Sequence, residues 1–219
     1  MVSHKPISIA DQVFEQLENE ILSGKYEQGY SMSEISLAKE LGVSRTPIRE
    51  AIHRLEQEHL LEDCGKGPVV VGITEEDVKD LFEIRIRLEG LSAARAAVNI
   101  TDDLLKQMQE TLEMQRFYIE RHTTNDDRSD RIKDLDSDFH KLLHEAAGST
   151  ILYDTLEPVQ MKITKLRKAS LKKKSRAEES NAEHTAIFEA LKAHDAEKAE
   201  KLTVIHAENA RKSILDLEE

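Results

Sequence analysis

The sequence predicts a mainly α protein in two domains, an N-terminal winged helix-turn-helix over residues 1–72 and a C-terminal antiparallel six-helix bundle over 73–219. Three observations carry this expectation. Apolar residues recur at helical spacing through most of the chain. The one stretch with β-prone runs is LLEDCGKGPVVV at 60–71. Gly, Asn and Asp punctuation cuts the remainder into segments of helix length.

Residues 9–22 set Ile9, Val13, Leu17 and Ile21 four apart with Phe14 alongside, a stripe that stops at Gly24. After the turn-rich GKYEQGYSM, Ser33 is placed to cap a short helix carrying Ile35, Leu37, Ala38 and Leu41, closed by Gly42. Ser44, a second N-cap candidate, opens SRTPIREAIHRLEQEH, which shows Ile48, Ile52 and Leu55 on one face. Pro47 falls in its first turn, where a missing N–H is tolerated. Two short strands then flank the Gly-Lys-Gly-Pro turn as a hairpin. Helix, helix, turn, helix and hairpin together are the outline of a winged helix-turn-helix.

Beyond Gly72, Thr74 with Asp77 three residues on has the pattern of a capping box. Helices are expected over 75–98, 102–121, 128–147, 151–170, 178–193 and 196–216. They are separated at Asn99, 122–126, Gly148, 172–175 and His194–Asp195, and six such helices form a bundle.

Composition narrows the function classes. The 219 residues carry a net charge of −12, with only 4% aromatics and no tryptophan. A broad basic field around nucleic acid is excluded, so DNA binding would need a local patch. Residues 1–72 hold 7 Lys/Arg against 12 Asp/Glu, so the patch must be smaller than the domain. No apolar run nears the ~18 residues of a membrane span, and MVSHKPISIADQ lacks the apolar core of a secretory signal, so a cytoplasmic chain with no membrane partner is expected. A single Cys64 rules out a disulfide framework and a cysteine-rich zinc module, which leaves His and carboxylates for any metal site.

Such a patch exists. Ala38, Gly42 and Ile48 have the spacing of a helix-turn-helix, and the second helix offers Arg45, Thr46 and Arg49 near its N-terminus, where a recognition helix meets base edges. Arginine gives guanine two hydrogen bonds, while Ser44, Thr46 and the helix N-terminal amides suit phosphates. Residues 43–54 carry three arginines and one glutamate, a positive face in a negative chain. Lys66 at the hairpin tip is placed to reach an adjacent phosphate or groove. The bland alternative is a solvated helix face.

LAKELGVSRTPIREAIHRLE at 37–56 resembles the GntR family of bacterial transcription regulators, in its FadR-like branch with an all-helical FCD ligand domain. The likeness continues through LFEIRIRLEG at 81–90, DSDFHKLLHEAAG at 136–148 and EHTAIFEALKAHD at 183–195. It implies DNA contacts at Arg45, Thr46, Arg49 and the wing Gly65, Lys66 and Gly67, beside the phosphate contact expected of Ser44. It also implies a homodimer on a near-palindromic, double-stranded operator, with repression relieved by ligand as the commoner mode.

In the second domain, Asp136 and His140 sit four apart on a helix whose apolar stripe is Ile132, Leu135, Phe139, Leu142, Leu143 and Ala146. His184 shares a face with Ile187, Phe188 and Leu191, and His206 follows Leu202 by one turn, with Asn209 next. Each histidine alone reads as a core residue, but three imidazoles and a carboxylate aimed at one interior suit a site built between bundle helices. The resemblance implies a divalent metal on Asp136, His140, His184 and His206, with zinc foremost and nickel or manganese as alternatives. His144, also four residues from His140, is assigned to the pocket border. Arg85 lies on the apolar stripe of Val78, Leu81, Phe82 and Leu88 and matches the family's pocket arginine. A buried guanidinium demands an anion, which is either Glu89 or another internal carboxylate, or a small organic-acid effector. Many relatives continue Gly-Asn after the metal helix, whereas here Ser149 follows Gly148. Lys162 to Arg176 holds eight Lys/Arg and no acid, and is left open between a solvated face and a second DNA surface.

The expected function is a ligand-responsive transcriptional regulator. The alternative, a metal-dependent hydrolase, lacks a His-Glu-x-x-His or comparable motif and gives the helix-turn-helix no purpose.

Overall fold

The computed structural model describes residues 8–22, 24–65, 67–121, 126–171 and 174–215. It divides into two compact units, Met1–Thr74 and Glu75–Glu219.

In the first unit the order is α1 (Ile9–Leu22), α2 (Glu34–Leu41), α3 (Arg45–Gln57), β1 (Leu61–Asp63) and β2 (Pro68–Val70). Ser33 caps α2 by accepting from the Ser36 amide, and Gly42 ends it in the left-handed region at φ 67°, a conformation that costs glycine least. Ser44 holds the N-cap position of α3 with an extended backbone but makes no side-chain cap bond. Its hydroxyl, exposed on the surface, is therefore not spent on the helix. β1 and β2 pair antiparallel with Leu61 opposite Val70 and Asp63 opposite Pro68. Ser31 bridges to Val69 on the outer edge, and Gly29 and Met32 amides donate to the Val70 and Pro68 carbonyls, each at 2.8 Å. This closes an edge that would otherwise present free backbone groups.

The core of this unit joins Val13, Leu17, Ile21, Leu37, Ile48, Ile52, Leu55 and Val70. Two residues expected in it are outside, Ile9 at 57% and Ile35 at 67% exposure. A strict four-residue spacing drifts around a helix of 3.6 residues per turn, so the buried face of α1 begins at Ala10 instead. Ile35 is two positions from the buried Leu37, which puts it on the far side of α2.

The second unit contains α4 (Glu75–Asn99), α5 (Asp102–Glu120), α6 (Asp126–Ala146), α7 (Thr150–Leu171), α8 (Lys174–Lys192) and α9 (Ala196–Leu215). α4 lies along α9, α5 against α6 and α8, and α6 against α7. No described helix is long and apolar enough to cross a membrane. α8 starts at Lys174 rather than at 178. Arg176 explains the extra turn: it is 6% exposed and pairs within the same helix with Glu179 at 3.4 Å and Glu183 at 3.0 Å. Charge pairing of this kind extends a helix where apolar periodicity shows nothing.

Small side chains set the packing of the bundle. Ala93, Ala96, Ala97, Ala146, Ala190 and Ala199 are buried beside Phe139, Leu143, Ile187 and Leu191. At Gly90 on α4, an added Cβ would stand 3.1 Å from Val204 Cγ2 and 3.4 Å from Glu200 Cγ on α9. Side chains of α9 thus occupy the space that a side chain at this position of α4 would need. Gly90→Leu is expected to destabilise this unit by about 1–3 kcal/mol through overpacking, although helix propensity alone favours the change by about 1 kcal/mol. Denaturant unfolding of the variant measures it, and equal or greater stability would show that the contact is loose.

Candidate histidine centre and nucleic-acid interface

On the first unit, Ser44, Arg45, Thr46 and Arg49 all lie on the exposed side of α3, while Ile48 and Ile52 hold the opposite face in the core. Gly65 and Gly67 shape the hairpin turn at φ 78° and 107°, and the Gly65 amide donates to Asp63 Oδ1 at 2.8 Å. Lys66 lies outside the described residues.

The charge on this face differs from the sequence expectation. Arg54 turns back to α1, donating to Asp11 Oδ1 at 2.7 Å and stacking over Phe14 at 4.0 Å. Arg45 and Arg49 converge on one carboxylate, that of Glu34 at the start of α2. Arg49 donates from Nε to Oε1 at 2.9 Å and from Nη2 to Oε2 at 3.0 Å, and Arg45 donates from Nη2 to Oε2 at 2.8 Å. Hydrogen bonds from Arg49, then Arg45, hold the Glu34 carboxyl down at about 2. Glu34 is 11 and 15 residues from its partners, so only the folded turn between α2 and α3 reveals it.

In the second unit, α6 carries Asp136 and His140 inward, α8 carries His184, and α9 carries His206. All four are at most 2% exposed. One ligand atom from each of His140, His184 and His206 lies within 4.8 Å of the others. His184 Nε2 and His206 Nε2 are 3.3 Å apart. Two imidazole nitrogens at that separation require a proton or a cation between them. Asp136 Oδ1 stands at the edge of the group, 3.9 Å from His184 Nε2, and accepts from Ser180 Oγ at 3.0 Å.

The far nitrogens of two rings face carboxylates. His206 Nδ1 is 2.6 Å from Glu183 Oε2, and His140 Nδ1 is 3.4 Å from Glu89 Oε1. At His206 the short contact with Glu183 favours the tautomer that leaves the Nε2 lone pair for the centre, whereas the His140–Glu89 contact is a charge contact rather than a hydrogen bond. Glu183 is itself anchored, accepting from Arg176 on both oxygens at 3.1 and 3.0 Å and from Asn209 at 2.8 Å. Sequence reasoning missed Glu183. Its neighbour His184 points to the centre from the next position on α8, and the partner that gives Glu183 its role lies 23 residues away on α9.

Arg85, fully buried on α4, reaches the same centre. Its Nη2 lies 3.1 Å from His140 Nε2 and 3.4 Å from His206 Nε2. Of the two anions open to it in the sequence, the internal one is present: Arg85 Nε is 2.9 Å from Glu89 Oε2. Burial pushes the Glu89 carboxyl up, but the charge of Arg85 and then hydrogen bonding with His144 outweigh it and hold the group at about 2. His144 Nε2 is 3.5 Å from Glu89 Oε1. Glu89, His140 and His144 form the second cluster of possible ligands among the described residues. His140 belongs to both clusters, one through each ring nitrogen.

A helix-turn-helix with exposed arginines, joined to a helical unit built around buried histidines, has the outline of a DNA-binding regulator. The chain belongs to the GntR family of bacterial regulatory proteins: the family's helix-turn-helix model matches residues 9–71 and the FCD domain model matches residues 80–209. It is 33% identical to the uncharacterized HTH-type transcriptional regulator YdhC of Bacillus subtilis (strain 168), over 92% of this chain and 89% of that protein. It is 28% identical to the HTH-type transcriptional repressor RspR of Escherichia coli (strain K12), over 94% and 89%. Among solved structures, E. coli McbR/YncC matches in fold with a TM-score of 0.73 at 22% identity, covering 97% of this chain and all of that one. The chain is a transcriptional regulator and not an enzyme.

The buried ion pair makes a direct prediction. In chelator-treated protein, Arg85→Met leaves the Glu89 carboxylate buried without its guanidinium and should cost about 3–5 kcal/mol of stability. Adding Glu89→Gln should restore much of that loss in urea unfolding. Equal stability of the single and double variants would mean that the pair carries no such energy.

Proposed function

We propose that the chain is a metal-dependent, ligand-responsive repressor acting as a homodimer. Residues 1–72 bind double-stranded operator DNA, with Arg45 and Arg49 on bases, Ser44 and Thr46 on phosphates, and Gly65, Lys66 and Gly67 as the wing. Residues 73–219 dimerise and hold a divalent ion on His140, His184 and His206, with Asp136 as the oxygen ligand.

The observation that carries this reading is the convergence of three buried imidazoles, with the Nε2 atoms of His184 and His206 3.3 Å apart, Glu183 on Nδ1 of His206 and Glu89 facing Nδ1 of His140. Such carboxylate-backed histidines are the usual outer support of a ligated metal. Zinc suits a nitrogen-rich donor set best, with nickel or manganese as alternatives, and the bound ion supplies open positions for a carboxylate. Arg85, within 3.1 Å of His140, then gives a small organic acid its counter-charge. Ion and guanidinium draw on the same His140 and His206 lone pairs, so binding at this centre alters the contacts of α4. Repression is supported by the names of relatives, among them RspR and the gluconate operon transcriptional repressor of Bacillus subtilis (strain 168). A shift in DNA affinity on effector binding requires the reciprocal shift in effector affinity on operator binding, about 5–150-fold for an ordinary coupling.

Protein purified without chelator should contain about one divalent ion per chain by elemental analysis. An ion held at about 100 times its dissociation constant adds about 2.7 kcal/mol of stability, which chelation should remove. His184→Ala and His206→Ala should lose the ion, whereas His144→Ala should keep it. Stoichiometric metal in the His184→Ala protein would show the ligand set to be wrong.

Glu183→Gln should weaken metal binding by about 10–100-fold, the usual cost of losing a carboxylate behind a ligating imidazole. Competition against a chelating dye reads this directly, and unchanged affinity would remove Glu183 from the site.

A further inference from the structure

The carboxylate that joins Arg45 and Arg49 has no part in the function as described. It is the one acid in contact with the reading arginines among the described residues. Its geometry is selective. Arg49 gives Glu34 its Nε and Nη2 hydrogens, the side edge of the guanidinium. Arginine has five N–H donors in a fixed fork. The end edge, formed by Nη1 and the second hydrogen of Nη2, is left with two parallel donors. Those two are what a bidentate contact with guanine O6 and N7 requires. Arg45 spends only an Nη2 hydrogen on Glu34 and keeps the rest.

The surroundings agree with a surface that meets DNA rather than one sealed within the unit. Arg45 and Arg49 remain 57% and 65% exposed, while Glu34, at 24%, sits behind them. Ile35, the next residue on α2, is 67% exposed although its neighbours in sequence serve the cap and the core. Its methyl groups are available to a thymine methyl in the major groove.

We propose that Glu34 is a specificity-determining positioning residue, which orients Arg49 and Arg45 for guanine and opposes their transfer to the phosphate backbone. This rests on the reading of Arg45 and Arg49 as base-contacting residues. The mechanism has two parts. Fixing the side edge of Arg49 limits the rotamers of a long side chain, so less freedom is lost when the end edge meets a base. The negative charge of Glu34 also repels phosphates, so arginines tied to it gain less from sequence-independent binding. Operator affinity therefore rises relative to random DNA.

The test uses the full chain and two probes: a duplex selected from a randomised library on the wild-type protein, and the unselected library itself. Glu34→Gln removes the charge and puts an amide N–H against the guanidinium groups. Glu34→Asp keeps the charge but is one methylene too short to hold both arginines. Glu34→Gln should lower affinity for the selected duplex and raise it for the unselected pool. The ratio of the two should fall by about 5–150-fold, the loss of one bidentate base contact, and the salt dependence on the pool should steepen by about 0.9 in log–log slope for each arginine that moves to a phosphate. Glu34→Asp should lose affinity for the selected duplex without gain on the pool. Thermal unfolding close to wild type checks that the fold persists in both.

Two results would overturn the inference in different ways. If Arg49→Ala weakens binding to the selected duplex while Glu34→Gln leaves the ratio unchanged, the arginines read DNA without Glu34. If Arg45→Ala and Arg49→Ala both leave binding to the selected duplex intact, the assignment of the reading face fails, and the role of Glu34 fails with it.

Discussion

A guanidinium with no exposure to water governs what the helical unit can be. Arg85 cannot shed its proton, so its place in the bundle must supply anions and acceptors from the fold itself. Glu89 gives the charge from one turn along the same helix, and His140 and His206 give lone pairs from α6 and α9. Three helices are thereby tied to one point. The histidines share its surroundings: Glu89, which pairs with Arg85, faces His140 Nδ1 at 3.4 Å, and Glu183 lies 2.6 Å from His206 Nδ1. The cost of burying so much charge is large. Packing alone gives no reason for it in the middle of an otherwise alanine- and leucine-lined core.

The two units manage charge in opposite ways. In the helical unit, carboxylates stand behind histidines and arginine at the centre of the core. In the winged unit, a carboxylate stands behind arginines at the surface, where screening leaves each pair little stabilising value. Glu34 is therefore not needed to hold α2 against α3, since Leu37, Ile48, Ile52 and Leu55 already do so. Its effect falls on the direction of two long side chains.

Most of the fold was legible because helices write themselves at a regular spacing and because Gly24, Gly42 and Gly148 end them where a turn is needed. The hairpin was legible from valines around Gly-Lys-Gly-Pro. Spacing failed where the deciding contact lay outside the helix concerned. Ile9 and Ile35 satisfy an apolar pattern yet face solvent, because a stripe read at a spacing of four drifts off the buried face of a helix of 3.6 residues per turn, and a residue two positions from a buried one points away from the core. The start of α8 was hidden in a run of lysines, since Arg176 is held by acids further along the helix. At the histidine centre, inward direction could be read from neighbouring core residues, and so the burial of His140, His184, His206, Asp136 and Arg85 was legible. Glu183 and Glu34 could not be read in the same way. Each acts through a partner on another helix, and nothing in their own sequence surroundings distinguishes them from solvated acids.

The close meeting of α4 and α9 at Gly90 has an evolutionary consequence. Arg85 and Glu89 lie just before it on α4, and His206 lies just beyond Val204 on α9. A Cβ at this position would press on the Val204 and Glu200 side chains of α9, so a side chain added at the seam shifts the surroundings of these groups. Descendants of this chain can vary the exposed faces of α4 and α9, whereas position 90 can be inherited only as a residue small enough for the seam.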